Sequence, residues 1–116
     1  MSNHQDAEML WQYIVSELSV FPQDIQTILQ DASNGIWVHA RVNDGNVEIY
    51  KAKDNKPSSS LRSPCYITKS EFIAMHPIYY QWREGKITRA DVTQESRKSS
   101  YIFALIHKFD DTHSNR

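Results

Sequence analysis

Apolar positions change period several times along the chain. Ala7, Leu10, Trp11, Ile14 and Leu18 recur at helical spacing, with Asp6 placed to cap the start. Phe21-Pro22 closes that helix and opens a second, since proline suits a first helical position. Ile25, Ile28 and Leu29 would form its apolar face and Asn34-Gly35 its end. The period then drops to two. Ile36 to Val42 and Asn46 to Ala52 flank Asp44-Gly45, a dipeptide suited to tight hairpin turns that need positive φ. With Asp44-Gly45 as the loop, Val42 lies opposite Val47, Ala40 opposite Ile49 and Val38 opposite Lys51. That face is mostly apolar and is expected to meet the helices. The other presents Trp37, His39, Arg41, Glu48 and Tyr50, with Arg41 directly opposite Glu48.

Residues 51–64 carry no apolar period and read as a long loop, after which Cys65-Tyr66-Ile67 can add a short third strand to the hairpin. Thr68 and Glu71 form a capping box, with Ile67 packing on Phe72 across it. Phe72, Met75, Tyr79 and Trp82 then share one helical stripe with Ile78 beside it. Pro77 predicts a kink or restart near His76, and Gly85 a helix stop. Thr88 and Asp91 repeat the box, with Ile87 facing Val92. The last helix, about Ser99 to Phe109, is apolar at Ile102, Leu105, Ile106 and Phe109 with Phe103 and Tyr101 flanking, which places it centrally. The predicted architecture is a single α+β domain: two N-terminal helices, a β-hairpin and a C-terminal helical layer, with residues 1–5 and 110–116 as loose ends.

Composition mainly removes alternatives. A chain of 116 residues suffices for one core without staples. Net charge of −1 exerts no global pull toward nucleic acid or anionic membrane. The single cysteine, Cys65, excludes an internal disulfide framework and suits a reducing cytoplasm. The first apolar run follows Asp6 without a basic segment, and no run is long enough to span a bilayer. The expectation is a cytoplasmic chain with no leader and no membrane segment.

Signals for catalysis are sparse. His4, His39, His76, His107 and His113 lack metal-ligand spacing, and the three glycines stand alone, so no phosphate-cradling loop exists. Cys65 would be a nucleophile only with a histidine brought to it in space. No cofactor, metal or enzymatic activity is therefore expected. The face carrying Trp37, His39, Arg41, Glu48 and Tyr50 suits a partner interface or a stacking platform; covered by a helix or by the 51–64 loop, it would be ordinary core. An open strand edge, outward aromatics and near-zero net charge predict a homodimer formed through the hairpin region.

Two resemblances add expectations. Trp82-Arg83-Glu84-Gly85-Lys86, then Thr88-Arg89-Ala90-Asp91-Val92, then Ser99-Ser100-Tyr101 resembles the end of resolvase- and invertase-type DNA-binding domains, in which a glycine-containing turn leads through a short helix to a recognition helix. It covers residues 82–109. The sequence departs from the pattern at Thr93, Ser96, Arg97 and Lys98, and Ala104 and Leu105 lie where base contacts would come from. The resemblance implies a small DNA-binding protein with a degenerate helix-turn-helix at 88–109, contacting nucleic acid through Lys86, Arg89, Arg97, Lys98, Ser99, Ser100 and Tyr101. More broadly, Tyr66-Ile67-Thr68, Phe72, Tyr79, Trp82, Gly85, Arg89 and Ser99-Ser100-Tyr101-Ile102 are similar to small uncharacterised bacterial proteins, some carried on mobile integron gene cassettes. That similarity implies a bacterial cytoplasmic origin and no particular activity. The favoured expectation is a non-catalytic binding or protein-interaction module with an unknown protein or small-molecule partner, and the alternative is the DNA-binding protein.

Overall fold

The predicted first stripe is buried. In the computed structural model, which describes residues 4–28, 34–88 and 98–114 (4–5, 34 and 111–114 by backbone alone), α1 (His4–Val20) packs Ala7, Leu10, Trp11, Ile14 and Leu18 into the interior. It begins at His4, so Asp6 lies in the first turn rather than capping it. An acid there still complements the helix dipole.

The second N-terminal helix does not form. In its place stands a strand, β1 (Gln23–Ile28), antiparallel to β2 (Asn34–Asn43). Ile25 and Ile28 are three apart, as on a helix, but the ladder is irregular between Gln26 and Ile28, and Ile25, Thr27 and Ile28 are all buried. The spacing of three thus served a bulged strand. Tertiary context overrides the local pattern here: β1 pairs the backbone groups of β2 that would otherwise line an open edge, and Pro22, lacking an N–H, stays just outside the ladder. Gly35 is not a helix stop but part of β2. A Cβ on it would clash with Thr27 Oγ1, which accepts from the N–H of Ile36 at 3.0 Å. Leu29 lies outside the described residues.

The hairpin forms in the expected register. Val42 pairs with Val47, Ala40 with Ile49 and Val38 with Lys51, β3 being Asn46–Lys51. Asp44 and Gly45 both take positive φ (55° and 79°), the two-residue turn whose twist suits flanking strands. The short strand β4 (Cys65–Ile67) pairs with β3, so the hairpin is the middle of a four-stranded antiparallel sheet in the order β1-β2-β3-β4.

Helix α2 (Lys69–Arg83) starts at the capping box: Thr68 Oγ1 accepts from the N–H of Glu71, and Glu71 Oε1 from the N–H of Thr68, at 3.3 and 3.0 Å. Pro77 is exposed and the helix runs through it without a restart. At the far end Gly85 has φ 78°. Its N–H reaches the carbonyl of Trp82 while that of Lys86 reaches Gln81, a paired closure that satisfies two last-turn carbonyls. The second box runs from Thr88 into residues 89–97, outside the described set. Helix α3 (Ser99–Ser114) buries Ile102, Phe103, Ala104, Leu105, Ile106 and Phe109. Helical backbone at His4 and up to Ser114 reaches into both stretches expected to be loose.

Helices α1 and α3 pack against one face of the sheet and α2 packs against both of them, so that Ile25, Val38, Ala40, Val47, Ile49 and Ile67 share one core with Trp11, Phe72, Trp82 and Phe103. The Trp82 and Phe103 rings lie 4.9 Å apart and Trp11 and Phe72 5.3 Å apart, tying α2 to α3 and to α1. None of the described helices packs on the other face of the sheet, where polar chemistry can gather.

Candidate functional site on the outer face of the sheet

Strand alternation brings Trp37, His39 and Arg41 of β2 to the outer face beside Glu48 and Tyr50 of β3, so the five residues singled out from sequence are gathered. Strand pairing adds Asp24 and Gln26 opposite His39 and Trp37, and Tyr66 opposite Glu48. Of the five, only Arg41 is exposed; Trp37, His39 and Tyr50 are partly buried and Glu48 is buried. The cause is the loop after β3.

Residues 52–62 fold back over one half of this face. The chain leaves β3 at Lys51, opposite Val38, and is pinned on the far side of β2 by Asp24. That carboxylate accepts from the backbone N–H groups of Lys53, Asp54 and Asn55 at 3.0, 2.8 and 3.0 Å, and from Asn55 Nδ2 at 3.0 Å. A little further on, Trp37 donates its N–H to the carbonyl of Pro57 and accepts from Ser59, so the returning chain occupies the place beside β2 that β3 has vacated. The Tyr50 hydroxyl donates to the Arg62 carbonyl at 3.4 Å. Nothing local marks Asp24 or Asn55 in the sequence, since their partners are some thirty residues away.

Beneath this strap lies His39. Its Nδ1 is 2.9 Å from Asp24 Oδ1, and the two side chains are 11% and 5% exposed. Burial pushes the Asp24 carboxyl up, but the N–H groups of Lys53 and Asp54, with His39 and Asn55, outweigh it and hold it well below the usual carboxylate range. An ionised carboxylate only accepts, so the proton between the two sits on Nδ1, which leaves Nε2 as the ring nitrogen that Asp24 does not engage. That nitrogen is buried and, among the described residues, has no hydrogen-bond partner; Ser59 Oγ is in the same state. Asp24 and Trp37 also line a cleft of about 330 Å³ at the β1 edge with Ile25, Gln26, Ile28, His107 and Lys108.

The other half of the face is open. Arg41 Nε donates to Glu48 Oε2 at 3.0 Å and Nη2 to Oε1 at 3.3 Å, a two-point fork, while Asn43 Nδ2 donates to Oε1 at 2.9 Å. The Asn43 and Arg41 hydrogen bonds hold the Glu48 carboxyl below its ordinary range against the opposing effect of burial. Tyr66 stands across from Glu48 at 42% exposure and was not among the residues picked out from sequence; its position on the same face follows once β4 is paired.

The residues proposed from the helix-turn-helix resemblance are scattered in role. Lys98 Nζ lies 2.5 Å from the Tyr66 carbonyl and 2.9 Å from Glu71 Oε2, tying the start of α3 to β4 and the α2 cap. Ser99 is buried and Ser100 and Tyr101 partly so; Lys86 pairs with Glu84 at 3.0 Å, exposed. Arg89 and Arg97 lie outside the described residues. Burial pushes the Cys65 thiol up despite Lys98 nearby, which leaves little thiolate at neutral pH.

Among the described residues no group of three or more His, Cys, Asp or Glu side chains is placed to hold a metal ion, and no helix is long and apolar enough to cross a membrane. Comparison with known proteins finds no family model, no curated protein and no solved structure that matches the chain.

Proposed function

We propose that the chain is a small, non-catalytic interaction module that meets a protein partner through the open half of the outer sheet face, and that the first such partner is a second copy of itself. The observation that carries this reading is the Arg41 side chain, 52% exposed yet held in a fork by a Glu48 that is 7% exposed. A guanidinium fixed in this way turns its remaining donors outward and has little rotamer freedom left to lose on binding. Tyr66 beside it is the other residue type that concentrates binding energy when desolvated. Strands β1 and β4 end the sheet with edges able to pair with another chain, and a net charge of −1 opposes self-association little. A twofold contact would use one self-complementary patch.

Less supports the helix-turn-helix reading. The first turns of α3 bury Ile102 through Ile106, so the face a recognition helix would offer to bases is spent in the core. Sedimentation velocity at micromolar concentration tests the interaction reading. A dimer is expected for the native chain, weakened at least tenfold by Arg41→Ala or Tyr66→Ala, about the effect of removing 1.4 kcal/mol. A species that stays monomeric as concentration rises removes the homodimer.

A further inference from the structure

Strand β1 ends the sheet, and the hydrogen bonds of its neighbour fix which of its backbone groups point outward. Trp37 in β2 spends both of its own on the strap, donating to the Pro57 carbonyl at 2.7 Å and accepting from the Ser59 N–H at 2.9 Å. The N–H and C=O of one strand residue leave on the same side. Trp37 therefore directs nothing at β1, and its partner Gln26 directs nothing back. The same holds two residues along for His39 and Asp24. Asp24 and Gln26 thus send two N–H and two C=O groups out of the sheet, and among the described residues none of these has a backbone partner. The usual guards of an edge are missing here. Gln23–Ile28 holds no lysine and no proline, its one charge is bound by the strap, and the ladder becomes irregular only beyond Gln26. The space beside it is open as well. A cleft of about 330 Å³ is lined by Asp24, Gln26 and Trp37 from the outer face, by the core residues Ile25 and Ile28, and by Lys108 of α3. Lined from both faces of the sheet, it lies where a further strand would run.

We propose that the β1 edge binds an extended segment of a partner protein by strand addition, with the backbone groups of Asp24 and Gln26 supplying the ladder. N–H and C=O groups alternating along an edge match the backbone of another strand, whatever its sequence. The cleft adds selectivity. Ile25, Ile28 and Trp37 favour an apolar side chain, and the Lys108 ammonium at its border favours an acidic neighbour. The favoured segment therefore carries an apolar residue next to an acidic one. Asp24 contributes only its backbone, so its side chain stays on the strap. This edge lies across the sheet from Tyr66 on β4, and the inference does not rest on the homodimer.

The probe is a capped peptide of alternating threonine and valine with one phenylalanine followed by glutamate at its centre. Amide hydrogen exchange followed by NMR reads the edge directly. In the free protein the Asp24 and Gln26 amides are expected to exchange much faster than that of Ile25, whose N–H faces Val38 in the ladder. Peptide at about ten times its dissociation constant should slow both by about tenfold. Gln26→Pro removes an outward N–H that the β1–β2 ladder does not use and should abolish the protection of Asp24. Gln26→Ala, which keeps the backbone, should retain it. The peptide carries the same test without touching the fold. Methylating its alternate N–H groups gives two versions, and only the one whose methyl groups face the edge should lose binding. Asp24 and Gln26 amides as protected as Ile25 in the free chain overturn the proposal, since the edge is then already covered, by a second copy or by the chain itself. So does a peptide that leaves both amides unprotected, or equal binding by the two methylated versions.

Discussion

Gly35 and Thr27 occupy one space. The Thr27 hydroxyl stands where a Cβ on Gly35 would be, bonded to both the N–H and the carbonyl of Ile36 at 3.0 and 3.1 Å. This contact closes β1 on β2 at the irregular end of their ladder. Gly35→Ala is expected to destabilise the fold by about 1–3 kcal/mol through overpacking. Adding Thr27→Ala should return part of that loss, because the clashing oxygen is gone; the Thr27 carbonyl at 3.0 Å keeps the recovery incomplete. Urea midpoints of the two single variants and the double variant measure it, and strictly additive losses would place the strain elsewhere.

The cap of α2 is a second testable contact. Thr68→Ala removes the acceptor for the Glu71 N–H and is expected to cost about 1 kcal/mol. Glu71→Ala should cost at least as much, since that carboxylate also receives Lys98 from the start of α3. An unchanged denaturation midpoint for Thr68→Ala would mean that the box contributes nothing to stability.

How far the fold is legible depends on the range of the interaction that decides each element. The Asp44-Gly45 turn, the Arg41–Glu48 pairing, the Thr68 box and the Gly85 stop are all settled within a few residues, and each appears where the local pattern puts it. β1 is settled by β2, and Ile25 with Ile28 at a spacing of three fits a helix as well as a bulged strand. The strap is less legible still. Asp24 becomes an anchor only because residues 53–55 return to it across the sheet, and an aspartate two residues after a proline otherwise reads as a helix start. The outer face was therefore recognisable as a cluster, while its division into a covered and an open half was not.

Asp24 should control the strap without controlling the sheet. Asp24→Ala removes charge-assisted hydrogen bonds worth about 1.5–3 kcal/mol each at full strength. Tryptic cleavage after Lys53 should then quicken by roughly tenfold or more, because opening of the loop becomes easier. In the native chain the same release is expected in acid. The depressed Asp24 value makes its contribution complete above the ordinary aspartate value of 3.8 and lost as pH falls below it. Cleavage rates identical in native and variant chains would mean that the strap is held from elsewhere.

A buried histidine should give the fold a second pH dependence nearer neutrality. His76 is 3% exposed between Phe72 and Tyr80, and the Tyr80 hydroxyl donates to Asp110 of α3. Burial lowers its affinity for a proton, and the carboxylates of Asp110 and Asp6 only partly restore it. The folded value lies below the ordinary 6.5, so the unfolded chain takes up the proton first. The His76 contribution is thus full above 6.5 and is lost as pH falls from there through the folded value. Stability measured across this window should decline with acid in the native chain and decline less in His76→Phe. Parallel curves would mean that His76 is protonated as readily inside the fold as outside it.

Arg41 and Glu48 divide the work between stability and surface chemistry. Glu48 is buried and needs its charge satisfied; Arg41 is half exposed and supplies two hydrogen bonds to it, beside those from Asn43 and Tyr66. Arg41→Ala leaves the carboxylate short of donors, at a cost on the order of 1–2 kcal/mol once solvent screening at the guanidinium is allowed for. Arg41→Lys should recover little of this, because a single ammonium cannot form the fork. Arg41→Ala with Glu48→Gln should be closer to native than Arg41→Ala alone, since the amide carries no charge to strand. The Glu48 value is depressed, so the advantage of the native pair is complete above the ordinary glutamate value of 4.5 and disappears as pH falls below it. Chemical denaturation of the four proteins at neutral and acidic pH decides the matter. If Arg41→Ala is as stable as the native chain at neutral pH, the fork does not sustain Glu48, and the case for Arg41 as a pre-set donor on the open face loses its physical basis.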